Sequence, residues 1–191
     1  MGKAFSENEY LQIQQKLVKS CEESWSRYGY KKTSIRELCE MSGISTGAFY
    51  LFYDSKEALF IDTADKVLER LIDIMNNNMP SAPTKYDFIN SLKLVAKEIV
   101  KVDWILSLRN DFELLLRKLP KDFFEKSFKN DMSDFFKLIN KYGLKPKVSI
   151  EEITAVFWTI FTTLQYRDVI GDNYFKAFEF ILESSLKDLF E

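Results

Sequence analysis

Apolar residues recur every three or four positions along most of this chain, which is the spacing of amphipathic helices. No segment alternates apolar and polar residues between turn signals, so we predict an all-α fold. Capping boxes place three helix starts at Ser6, Ser34 and Ser149, each with a Glu three residues later. Prolines, glycines and caps separate the other predicted helices, which cover residues 55–78, 84–101, 103–119, 120–142 and 172–190.

The segment from Ser34 to Lys56 carries the most specific local pattern. Ser34 begins a short helix, Gly43 can turn the chain in the left-handed conformation without steric cost, and Ser45 caps a second short helix. Two short helices around a glycine turn predict a helix-turn-helix, whose second helix lies in the DNA major groove. Its first residues, Ser45, Thr46 and Gly47, are expected to face the base edges through hydroxyls and close backbone approach.

The following residues, AFYLFYDSKEAL at positions 48–59, resemble the signature of the tetracycline-repressor (TetR) family, in which an aromatic run ends the recognition helix and Ser-Lys-Glu opens the next helix. Residues 28–30 and 33–35 also resemble that family, and the likeness covers about residues 10 to 60. It implies a three-helix N-terminal helix-turn-helix DNA-binding domain over residues 1–54. A larger helical bundle, with a dimerising pair of C-terminal helices, is expected to form a ligand-binding and dimerisation domain over residues 55–191.

Phosphate contacts are expected on both sides of the recognition helix. Lys32 lies beside hydroxyls at a helix N-terminus, which suits a phosphate, although a solvated loop has the same composition. Tyr50 and Lys56 at helix edges can reach phosphate oxygens and fix the register. Because the recognition helix has no charged side chain, much of its specificity is expected to be indirect. The predicted DNA contacts are Lys32, Thr33, Ser34, Ser45, Thr46, Gly47, Tyr50, Tyr53 and Lys56.

The two C-terminal helices, over residues 149–170 and 172–190, are apolar around most of their circumference. One apolar face can be buried within a monomer, whereas a second face needs a partner, and a twofold homodimer supplies it. The alternative is a helix at the centre of a monomer. A rigid dimer would present two helix-turn-helix motifs to a palindromic operator on double-stranded DNA, with half-sites about one helical turn apart.

Aromatic residues make up 15% of the chain and lie mostly beyond residue 80. The family resemblance implies that the larger domain binds a small-molecule effector, which changes the spacing of the DNA-binding heads. An apolar or aromatic ligand is expected. The predicted lining residues, each of which could instead be simple core, are Trp104, Phe112, Phe157, Trp158, Phe161 and Gln165.

Composition argues against other functions. The chain has no histidine and only two cysteines, so we expect no enzyme, no metal site and no cofactor. Cys21 and Cys39 occupy helix interiors and are predicted to be buried and reduced, with redox sensing as the alternative. The opening ten residues lack the apolar core of a signal peptide and no stretch is long enough to span a membrane, so a cytoplasmic location is expected.

Net charge leaves one rival function open. The whole chain carries −2, and residues 1–56 carry 8 Lys+Arg against 7 Asp+Glu, which is a weak field for attracting DNA. Abundant apolar surface together with weak basic charge would also fit a helical small-molecule-binding or protein-interaction module that does not bind DNA specifically.

Overall fold

The computed structural model of the chain describes residues 5–102, 114–115, 117–119, 133–134 and 136–191. In these ranges every regular element is a helix, apart from one isolated antiparallel bridge between Pro146 and Phe190, which confirms the all-α prediction. None of the helices in these ranges combines the length and the apolar character needed to cross a bilayer. The chain divides into a first unit, Met1–Arg70 with Val102–Leu119, and a second unit, Leu71–Lys101 with Pro120–Glu191.

The first unit begins with three helices and the start of a fourth: α1 (Glu7–Lys32), α2 (Ile35–Ser42), α3 (Thr46–Phe49) and α4 (Lys56–Asn77). Ser6 caps α1 in a complete capping box with Glu9, as predicted. Gly29, at φ 74°, interrupts the helical conformation of α1 before its last residues.

Side chains from all four helices form the core of the first unit. Leu17, Leu38, Phe49 and Leu59 are fully buried. The ring of Trp25 packs edge-on against Phe60 at 4.0 Å between centroids. This packing fixes the two short helices, α2 and α3, against the longer helices α1 and α4.

Both cysteines lie in this core as free thiols, which confirms their predicted burial. Desolvation raises the pKa of Cys21 to about 12, against a smaller opposing effect of a hydrogen bond with Thr63. At neutral pH Cys21 is therefore protonated and acts as a small apolar side chain.

The second unit contains the end of α4, α5 (Lys85–Lys101), α6 (Ile150–Thr162), a 3₁₀ turn (Thr163–Tyr166), α7 (Arg167–Ile170) and α8 (Tyr174–Leu189). Ser149 and Glu152 form the predicted capping box of α6. Helix α8 packs against α5 and α6. The buried side chains that these three helices contribute include Phe88, Ile89, Leu92, Ile153, Ile160, Phe178, Leu182 and Leu186.

The continuous helix predicted over residues 149–170 is wrong in its second half. The α-helix ends at Thr162 and continues as a 3₁₀ turn and a short α7. The hydroxyls of Thr162 and Thr163 donate to the carbonyls of Trp158 and Ile160, and such bonds to the preceding turn bend helices. Most of the helices predicted over 103–119 and 120–142 lies outside the described residues.

Candidate nucleic-acid interface

Local hydrogen bonds build the turn between α2 and α3. The Ser34 hydroxyl accepts from the Glu37 N–H at 3.2 Å and starts α2. Gly43 ends α2 at φ 74°, and its N–H is directed to the carbonyls of Cys39 and Glu40. The Ser45 hydroxyl then accepts from the Ala48 N–H at 3.1 Å and starts α3. The predicted helix-turn-helix is therefore formed. The capping box predicted at Ser34 is only half formed, because the Glu37 carboxylate accepts from the Ser24 hydroxyl and not from the Ser34 N–H.

Helix α3 buries one side and exposes its N-terminal end. Phe49 is completely buried, whereas Ser45, Thr46 and Gly47 are exposed together. Tyr50 is 54% exposed just after the helix. The predicted base-reading residues are thus brought to one solvent-facing surface, where they are accessible to a DNA groove.

Thr46 also contacts α2 through its hydroxyl. Desolvation raises the pKa of the Cys39 thiol, and a hydrogen bond with the side chain of Thr46 opposes that shift. This contact restrains the side chain of Thr46, which is one of the predicted base-reading residues.

The predicted phosphate contacts between α1 and α2 differ in their exposure to solvent. Lys32 and Ser34 are exposed. Thr33 is 2% exposed, and its hydroxyl donates to the Gly29 carbonyl at 2.9 Å. The side chain of Thr33 therefore stabilises the bend at Gly29, a geometry that disfavours the phosphate contact predicted for it.

Lys56 fastens the start of α4 to the end of α1. Its Nζ donates to the carbonyls of Tyr30 and Thr33, both at 2.9 Å, and lies 3.8 Å from the centroid of the Tyr30 ring. Carbonyls at a helix C-terminus lack partners within the helix, so the ammonium satisfies groups that α1 leaves open. At least two of the three N–H groups of the Lys56 ammonium therefore donate to protein carbonyls. The sequence pattern did not reveal this structural role.

Glu57 completes this contact between α4 and α1. The Tyr30 hydroxyl donates to the Glu57 carboxylate. Desolvation acts to raise the pKa of Glu57, but the hydrogen bond from Tyr30 and the charge of Lys56 hold it below its usual value. We call Tyr30, Thr33, Lys56 and Glu57 the α1–α4 clamp.

Tyr53 faces the interior of the first unit. It is 7% exposed, and its hydroxyl donates to Asp62, which also accepts from Gln14 at 3.5 Å. Desolvation, followed by the hydrogen bond to Asp62, raises the pKa of Tyr53 well above its usual value. The phenol therefore connects the residues after α3 to α4, which disfavours the phosphate contact predicted for it.

Residues 17–63 match the sequence profile described as "Bacterial regulatory proteins, tetR family". These residues belong to this family. The matched residues extend from α1 into α4 and include the whole helix-turn-helix.

Curated relatives of the chain include proteins named as HTH-type transcriptional regulators. The chain is 32% identical over 63 residues to the uncharacterized HTH-type transcriptional regulator YerO of Bacillus subtilis, and the aligned region covers 33% of the chain and 22% of YerO. It is 26% identical over 103 residues to the HTH-type transcriptional repressor Rv1474c of Mycobacterium tuberculosis, which covers 49% of the chain and 54% of Rv1474c. The chain thus spans only part of the length of these relatives.

Solved TetR-family structures share the fold over nearly the whole chain. A TetR-family regulator from Haemophilus influenzae, HI0893, is similar with a TM-score of 0.66 and 16% identity, covering 95% of this chain and 98% of that one. One from Rhodococcus sp. has a TM-score of 0.72 and 13% identity, covering 95% and 100%. RolR, solved in complex with resorcinol, has a TM-score of 0.58 and 14% identity, covering 94% and 90%. At these identities the likeness shows the fold alone.

The last helices of the chain expose large apolar side chains. Val169 is 84% exposed, Phe180 73%, Ile170 46%, Trp158 44% and Ile181 40%. These five residues, here called the apolar C-terminal face, lie on or next to α6, α7 and α8. Each of the last three helices therefore carries exposed large apolar side chains, and α6 and α8 bury others, which agrees with the apolar composition that the sequence predicted.

The effector-lining residues that the sequence resemblance predicted are only partly described. Trp104 and Phe112 lie outside the described residues. Phe161 is buried, stacks on Phe157 at 4.3 Å and meets Phe178 edge-on, which is a core arrangement. Trp158 is exposed and Gln165 is half-buried. A cleft of 590 Å³ lies elsewhere in the second unit and is lined by none of these residues.

Proposed function

We propose that this chain regulates transcription by placing the N-terminal end of α3 in the major groove of double-stranded DNA. The observation that supports this most directly is the joint exposure of Ser45, Thr46 and Gly47 on a helix whose other side is anchored by Phe49. A recognition helix must present its first residues to base edges while the rest of the domain supports it. The family match over residues 17–63 supports the same reading.

Base selection in this proposal depends on hydroxyls, backbone approach and DNA shape. Helix α3 carries no charged side chain, so no bidentate arginine contact with guanine is available from it. The phosphate contacts that fix its register come from the exposed members of the predicted set. They are Lys32, Ser34 and Tyr50.

We propose that two copies associate through the apolar C-terminal face. Side chains as large as Phe180 and Trp158 are exposed there, and large exposed apolar patches mark protein interfaces. A twofold axis pairs the same face on both copies, which needs no second protein. The dimer would bind a palindromic operator whose half-sites are about one helical turn apart.

Repression relieved by a small molecule is the regulatory mode that we propose. Rv1474c is named a transcriptional repressor, and RolR was solved with an aromatic ligand, resorcinol. A ligand shifts a regulator between two conformations only by its difference in affinity for them.

Selection of the purified chain on a random duplex library at about 0.15 M salt tests this function, because non-specific binding is weak at that salt. We expect a palindrome with turn-spaced half-sites. Thr46→Ala should change the selected bases, whereas Ser26→Ala, which removes an exposed hydroxyl of α1, should not. Recovery of no common sequence by the folded protein would favour a ligand-binding or protein-interaction module instead.

A further inference from the structure

The cleft of 590 Å³ in the second unit has the size of a small-molecule site. It lies between the end of α4, the second half of α5 and the start of α8. We infer that it binds an amphipathic organic anion, with an aromatic or aliphatic body and one carboxylate or sulfonate. Its role as the effector site rests on the proposed function, whereas the binding itself does not. The lining residues are Ile74, Asn78, Leu94, Lys97, Glu98, Val100, Lys101, Tyr174 and Phe175.

The apolar part of the lining combines aliphatic and aromatic side chains. Ile74, Leu94 and Val100 supply the aliphatic surface, and Tyr174 and Phe175 supply two rings. Phe175 is held by contacts with Tyr174 and with the buried Phe178, at 6.0 and 5.7 Å between centroids. A fixed ring beside aliphatic groups suits a flat apolar body.

Three lysines four residues apart on α5 determine the charge beside this surface. Lys93 pairs with Glu183, and Lys101 pairs with Glu98. Lys97, one turn from each of them, has no carboxylate partner within the described part of the chain, and its Nζ lies 5.6 Å from the centroid of the Phe175 ring.

Among the described lining residues one positive charge is therefore uncompensated, because the charges of Lys101 and Glu98 offset each other. A cationic ligand would be repelled by Lys97, and a neutral one would leave its exposed ammonium to water. An anion that lays its apolar body on Phe175 can place its acidic group at the Lys97 ammonium. That ion pair is stronger beside apolar surface than in bulk water.

Two fluorescent probes with the same ring skeleton test this assignment. 1-Anilinonaphthalene-8-sulfonate carries a sulfonate, and N-phenyl-1-naphthylamine lacks it. Titrated into the purified full chain, the sulfonate should bind more tightly than the neutral amine. Lys97→Met keeps most of the length of the side chain and removes its charge, and it should weaken the sulfonate about two- to five-fold because one exposed charge-assisted contact is lost. The neutral probe should be unaffected.

Lys137→Met is the matched control, since Lys137 is an exposed lysine of the same unit paired with Asp134, away from the cleft. It should leave both affinities unchanged. Leu94 is 38% exposed, so Leu94→Glu should fold normally, yet it should weaken both probes more than ten-fold. Equal weakening of both probes by Lys97→Met would overturn the anion assignment. An unchanged affinity for the sulfonate in both Lys97→Met and Leu94→Glu would show that the probe does not bind in this cleft.

These titrations contain no DNA, so they fail independently of the proposed function. If DNA selection recovers a palindrome but the sulfonate preference and its loss in Lys97→Met are absent, the cleft assignment is rejected and the proposed DNA-binding function is retained. If the sulfonate preference is found but DNA selection recovers no common sequence, the cleft assignment is retained and sequence-specific regulation is rejected.

Discussion

Replacement of Lys56 by methionine should destabilise the first unit in the absence of DNA. The substitution retains the aliphatic stem and removes two charge-assisted hydrogen bonds, to the Tyr30 and Thr33 carbonyls, and the contact with the Tyr30 ring. Hydrogen bonds of a charged group contribute about 1.5–3 kcal/mol each when buried, and we take about 1 kcal/mol each for the half-buried Lys56. The cation–π contact adds about 0.5–1 kcal/mol. We therefore expect a loss of about 2–3 kcal/mol.

Urea unfolding combined with amide hydrogen exchange measures this loss. Amide exchange should accelerate more at the end of α1, around residues 30–33, than elsewhere in the unit. Without the Lys56 ammonium the carbonyls there lose a partner, so this end of the helix opens more often. Lys66→Met is the matched control on the same helix. Lys66 is exposed and pairs with Glu69 three residues away, and such surface pairs contribute little.

The same experiment separates the clamp from a pure phosphate contact. A lysine that acts only on phosphate would leave the free protein as stable as the Lys66→Met control and would lower the salt dependence of DNA binding. If Lys56→Met and Lys66→Met had the same free energy of unfolding and the same exchange pattern, the reasoning about the clamp would be refuted.

Four further predictions concern single residues. Tyr50→Phe should weaken binding to all DNA sequences by a similar factor, measured by titration with selected and unrelated duplexes, because a phenol that contacts phosphate carries no sequence information. Phe180→Asp should convert a dimer to a monomer in sedimentation velocity, since it places a charge in the apolar C-terminal face; an unchanged dimer would contradict that interface. Cys21 should not react with a disulfide reagent at pH 8 in the folded protein, because its pKa is about 12. The stability contributed by its protonated thiol should be fully present below pH 9 and should be lost as the pH rises toward 12. Gly43→Ala should cost about 1–2 kcal/mol in urea unfolding, because φ 74° strains any residue with a Cβ although no neighbour would clash.

Features that depend on neighbouring residues were predictable from the sequence. The capping boxes at Ser6 and Ser149 and the left-handed turn at Gly43 are formed as predicted, because each is decided by groups within a few positions. The fourth helix was predicted over residues 55–78 and is observed over Lys56–Asn77. The tertiary bonds of Lys56 were not predictable in this way, since its partners lie 23 and 26 residues earlier.

One signal in the aromatic run could have separated the buried from the exposed rings. Phe49 and Tyr53 are four residues apart and so lie on the same side of a helical turn, and both are buried. Tyr50 and Leu51 lie on the other side, and both are more than half exposed. The periodicity therefore favours Tyr50 over Tyr53 as the residue that reaches DNA. The cleft at Lys97 had no comparable signal, because its walls come from three distant segments.

The short uncharged recognition helix gives the side-chain bonds between α1 and α4 a role in positioning α3. A lysine or arginine can reach a phosphate or a base from several backbone positions, whereas the hydroxyl of Thr46 can select a base only if α3 is held within a fraction of an ångström. The α1–α4 clamp, the Tyr53–Asp62 hydrogen bond and the bidentate pairing of Arg70 with Glu22 all restrain the frame around α3. Loosening this frame should therefore reduce discrimination between operator and unrelated DNA more than it reduces total affinity, since the phosphate contacts tolerate small displacements and the hydroxyl contacts do not.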